Sequence, residues 1–67
     1  MNNIKLTNNQ ITVLKVLENQ HLTSFQILKK IDSISLILVV YSIIDELKGM
    51  GILKSYTKKK NKFHYTC

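Results

Sequence analysis

Residues 33–51 read SISLILVVYSIIDELKGMG, and between Leu36 and Ile44 every residue but Ser42 is apolar or aromatic. Such a run fits a buried strand, a membrane segment or a helix. Nine residues fall far short of the roughly 20 that a membrane helix needs. Propensity favours a strand, because Ile37, Val39, Val40, Ile43 and Ile44 are β-branched. The end of the stretch points the other way. Gly51 stands where a helix stops on a left-handed C′ residue, and Ile52 stands where a Schellman motif returns it to Leu47. Leu36, Val40, Ile43 and Leu47 recur at four, three and four, as one helical face does. The stretch therefore predicts a helix from Leu36 to Met50, with Ser33 or Ser35 as its cap.

Upstream, LTNNQI at Leu6 and LTSFQI at Leu22 share one grammar. Each has a threonine N-cap and a glutamine three residues on, the pattern of a capping box. Leu6 with Ile11, and Leu22 with Ile27, suit hydrophobic staples. Two helices are expected, from near Asn8 to about Asn19 and from near Ser24 to about Asp32. The first would bury Ile11, Leu14 and Leu17 and leave Val13 and Val16 outside. The second would bury Ile27, Leu28 and Ile31. Helices this short do not stand alone in water.

After Gly51 the period becomes two. ILKSYT and KFHYT read as strands joined by a turn near Lys59 to Asn61. Phe63 and Tyr65 are expected inside, His64 and Thr66 outside. A short strand at Gln20 to Leu22 would add a third to the sheet. The buried set expected is Leu14, Leu17, Ile27, Ile31, Val40, Leu47 and Phe63.

The chain has 67 residues, enough for one small domain with residues 1–5 as a loose arm. Its one cysteine excludes a disulfide framework. With no recognisable targeting segment, a reducing cytoplasm is expected. Ten lysines, no arginine and four acids give +6, and no acid follows Glu46 while six lysines do. A basic end of this kind suits an anionic partner, above all nucleic acid.

Three helices and a hairpin in this order resemble a winged helix-turn-helix domain, an α+β fold, over residues 6–66. The spacing from Leu22 to Gly51 is similar to that of MarR-type regulators. VYSIIDEL resembles the recognition helix of ferric uptake regulators, with Ser42 where that pattern often carries arginine. The resemblance implies double-stranded DNA as partner and a role in transcription. The third helix would enter the major groove, with Ile37, Leu38, Tyr41 and Ser42 at the bases. The wing lysines Lys54, Lys58, Lys59, Lys60 and Lys62 would lie on phosphates.

That helix face lacks the Arg, Lys, Asn or Gln that usually read base edges. An apolar third helix also suits a protein partner, so a protein-interaction module is the second reading. The apolar surface of helix 3, with Val13 and Val16, exceeds one small core, so a homodimer is expected. No cofactor, metal or catalytic residue is expected. His64 and Cys67 form an H-x-x-C pair with only His21 as a third ligand, fewer than a zinc site normally takes. Asp45 and Glu46 are adjacent and so do not face one another.

Overall fold

Thr7 and Thr23 each close a full capping box. The Thr7 hydroxyl accepts from the Gln10 N–H, and the Gln10 side chain accepts from the Thr7 N–H at 2.9 Å. Thr23 and Gln26 repeat the arrangement. These caps start α1 (Asn8–Val16) and α2 (Ser24–Lys30), which are followed by α3 (Ile37–Gly49), β1 (Leu53–Lys58) and β2 (Asn61–Thr66). The structure, a computed structural model, describes residues 5–66. Three helices and an antiparallel hairpin give the α+β layout of a winged helix.

The apolar run is a helix, and its end explains why. Gly51 has φ +77. Its N–H reaches the Lys48 carbonyl at 3.0 Å, and the Ile52 N–H reaches the Leu47 carbonyl at 3.1 Å. That pair is a Schellman motif, which satisfies the last carbonyls and turns the chain into β1. The other end departs from expectation. Leu36 is the N-cap and makes no side-chain cap bond, so neither Ser33 nor Ser35 caps α3. The extended backbone of Leu36 (φ −107, ψ 126) takes it off the inner face of α3, and it is 65% exposed. Ile34, in the connection, is buried in its place.

One core joins Val13, Leu17, Leu22, Ile27, Ile31, Ile34, Val40, Ile43, Ile44, Leu47 and Leu53. The inner face of α1 is rotated from the one expected. The capping box seats Gln10 inside, and Val13 and Leu17 follow it at three and seven residues. Val13 is therefore core, Leu14 and Val16 are only half-buried, and Ile11 is exposed. Gln10 also donates from Nε2 to Glu46 at 2.9 Å, so one side chain caps α1 and ties it to α3.

β1 and β2 run in register from Leu53 opposite Thr66 to Lys58 opposite Asn61. The two-residue loop is Lys59 and Lys60, at φ 51 and 69. Both signs are those of a type I′ turn, which normally takes Asn-Gly. Holding a side-chain-bearing residue in that region costs about 1–2 kcal/mol. The third strand shrinks to a single bridge in which Leu22 and His64 exchange both backbone hydrogen bonds. The parity of β2 is the reverse of that expected: His64 is inside at 3% exposed, and Phe63 and Tyr65 are half-buried on the other face.

Candidate nucleic-acid interface

The exposed face of α3 carries Leu38, Tyr41, Ser42, Asp45, Lys48 and Gly49. These positions are three or four apart, so they form one stripe along the helix. The hairpin stands beside one edge of that stripe. Between them lies a cleft of about 580 Å³. Tyr41, Asp45 and Lys48 form its α3 wall, and Lys60, Asn61 and Lys62 its wing wall. Thr23, Ser24 and Phe25, at the start of α2, close the end.

His64 is the joint that holds the wing at this distance. Its Nε2 lies 2.9 Å from Ser24 Oγ on α2, and its Nδ1 lies 2.7 Å from Ser55 Oγ on β1. A neutral imidazole has one donor and one acceptor, and two hydroxyls match either tautomer. Burial of the ring, then Lys48 and Lys62, hold its pKa below the usual histidine value of 6.5. A cation at the joint would be desolvated beside two lysines, so the imidazole stays neutral at neutral pH.

The residues expected at DNA are not all on one surface. Tyr41, Lys60 and Lys62 meet at the cleft. Lys59 is at the wing tip. Lys54 and Lys58 alternate with Ser55 and Thr57, which puts them on the opposite face of the hairpin. Leu38 and Ser42 line a second groove of about 410 Å³, on the side of α3 towards the start of α1. Ile37 is half-buried against the core. Phe25, Lys48 and Asn61 belong to the cleft and escaped the sequence reading. Lys48 had a legible signal, three residues after Asp45 and seven after Tyr41, on the α3 stripe. Phe25 and Asn61 meet the site only through tertiary placement.

Cys67, and with it the H-x-x-C pair, lies outside the described residues. The described residues contain no group of three or more His, Cys, Asp or Glu placed to hold a metal. None of their helices is long and apolar enough to cross a membrane. No protein-family model matches the chain, and no curated protein matches it.

Proposed function

We propose that this chain binds double-stranded DNA as a small transcriptional regulator. The observation that carries the reading is the cleft, where Lys60 and Lys62 of the wing face Tyr41 and Lys48 of α3. An α-helix with side chains is about 10–12 Å across and fits the major groove, which is about 12 Å wide. With the α3 stripe in the groove, the wing wall meets the neighbouring phosphates. Lysine supplies long, compact charges without the fixed fork of arginine, which suits phosphate contact better than base reading. Base discrimination then falls to the hydroxyls of Tyr41 and Ser42 and to contact between Leu38 and thymine methyls. Asp45 on the same stripe repels phosphate. The single cysteine fits a reducing cytoplasm.

A second reading rests on the start of α3. Leu36 and Leu38 are 65% and 72% exposed, a large apolar surface for so small a domain. A homodimer through this edge would take Leu38 away from the bases and would place two wings at fixed spacing, as paired half-sites require. A protein partner on the same edge would make the domain an interaction module.

The test is an electrophoretic shift with mixed-sequence duplex at low and moderate salt. A shift that weakens steeply with salt and is lost with Lys60→Ala plus Lys62→Ala supports DNA binding. A folded protein that shifts no duplex at low salt rejects it.

A further inference from the structure

The hairpin has a second face, turned away from the cleft. Strand alternation puts Lys54, Tyr56 and Lys58 of β1 on it, with Phe63 and Tyr65 of β2. Tyr56 lies opposite Phe63, and Lys54 opposite Tyr65. His21 reaches in from the segment between α1 and α2. Its ring stacks on Tyr65 with centroids 4.8 Å apart, and its Nδ1 lies 2.8 Å from the Tyr56 hydroxyl. Tyr56 stacks on Phe63 at 5.6 Å and tilts against Tyr65 at 5.8 Å. The four rings form one continuous patch. Among the described residues it stays open to solvent in part: His21 and Tyr56 are exposed, and Phe63 and Tyr65 are half-buried.

The composition of this face narrows what it receives. Its apolar part is entirely aromatic, and its flanks are lysine. No acid stands anywhere in the hairpin, and the nearest in sequence to the patch is Glu18, three residues before His21. A basic, aromatic surface is complementary to a polyanion whose units carry flat rings. Unpaired bases stack on such side chains with little regard to sequence, while the backbone lies on cations. Paired bases keep their faces inside the duplex and offer nothing to stack. The His21–Tyr56 contact also orders the rings in advance, so less side-chain freedom is lost on binding.

We propose that this outer face binds single-stranded nucleic acid, with bases on Tyr56, Phe63, Tyr65 and His21 and phosphates at Lys54 and Lys58. The surface is separate from the cleft, so the inference stands whether or not the cleft takes duplex DNA.

The experiment is fluorescence anisotropy with a labelled oligothymidylate of about ten nucleotides at low salt. Wild type should bind it. Tyr56→Leu should weaken binding about tenfold, and Tyr56→Phe, which keeps the ring and loses only the bond to His21, should weaken it clearly less than Tyr56→Leu does. Lys54→Glu with Lys58→Glu should weaken it at least as much. Both lysines are exposed, so this variant folds even where Tyr56→Leu does not; circular dichroism checks each. Lys60→Ala with Lys62→Ala, in the cleft, should leave oligothymidylate binding within about twofold, since neither phosphate contact is on this face. Three results would overturn the proposal. Wild type does not bind the oligonucleotide. Binding ignores the Tyr56 and Lys54/Lys58 variants or follows the cleft variant instead. Sedimentation finds a dimer that Tyr56→Leu disperses, which would make a second copy of the chain the occupant.

Discussion

Ser24 Oγ lies 2.9 Å from His64 Nε2, and this contact joins the start of α2 to β2 through a buried imidazole. Two residues 40 apart in the sequence are thereby tied together at the floor of the cleft. The lock is made of neutral groups.

Its pH dependence follows. The folded pKa of His64 is lowered and the unfolded value is 6.5. Between the two, the unfolded chain binds the extra proton, so stability rises with pH there. The contribution is complete above 6.5 and is lost as pH falls towards the folded value. One proton limits the slope to about 1.4 kcal/mol per pH unit. Urea denaturation at pH 7.5 and 5.5 should show the loss, and His64→Gln should show less of it. His64→Gln should itself cost about 1–3 kcal/mol at neutral pH, because it leaves the Ser24 hydroxyl or the Ser55 hydroxyl without its partner.

The wing tip is strained where it is most basic. Lys59→Asn with Lys60→Gly supplies the residues that a type I′ turn prefers. Thermal unfolding should show a gain of about 1–2 kcal/mol. The same variant should weaken duplex binding, because two positive charges leave the wing. A gain in stability with a loss of binding is the signature expected of a turn kept strained for contact.

Core substitutions should follow the observed face of α1. Leu47→Ala should cost about 2–5 kcal/mol, a large share of a small domain's stability. Val13→Ala should cost about 2 kcal/mol, and Ile11→Ala less than about 1 kcal/mol, since that side chain is 38% exposed and lies outside the core. Chemical denaturation of the three variants ranks them directly.

Salt should report how duplex DNA is held. Each phosphate contact contributes about −0.9 to the slope of log K against log salt. Lys60→Ala with Lys62→Ala should flatten that slope by about 1.8, equally on all sequences. Changes at Leu38, Tyr41 or Ser42 should alter preference between sequences and leave the slope alone. Selection from a random pool, repeated with each variant, reads the preference.

What could be read from the sequence was local chemistry. Thr7 with Gln10, Thr23 with Gln26, and Gly51 with Ile52 act within a few residues. Their caps and stop placed the first two helix starts and the end of α3. The face of α1 was less legible, because Ile11, Leu14 and Leu17 look like an inner stripe until Gln10 is seen bonding to Glu46. That bond spans 36 residues. The parity of β2 failed for a similar reason. Phe63 and Tyr65 are the larger apolar residues, yet the space beneath them holds Ser24 and Ser55 and accepts an imidazole. Tyr65 packs on His21 and Phe63 on Tyr56 instead. The lysines were legible as a group but not as two groups. Alternation along β1 sends Lys54 and Lys58 one way, and the cleft takes Lys60 and Lys62.

The bridge between Leu22 and His64 divides the hairpin in its opening behaviour. The His64 amide is bonded to the carbonyl of core residue Leu22, so it should exchange with solvent only when the whole domain unfolds. Amides near Lys58 and Asn61 are held by the hairpin alone, beyond that clamp, and exchange through local fraying. The root thus belongs to the same cooperative unit as the helices. The tip should open and reclose within the native state.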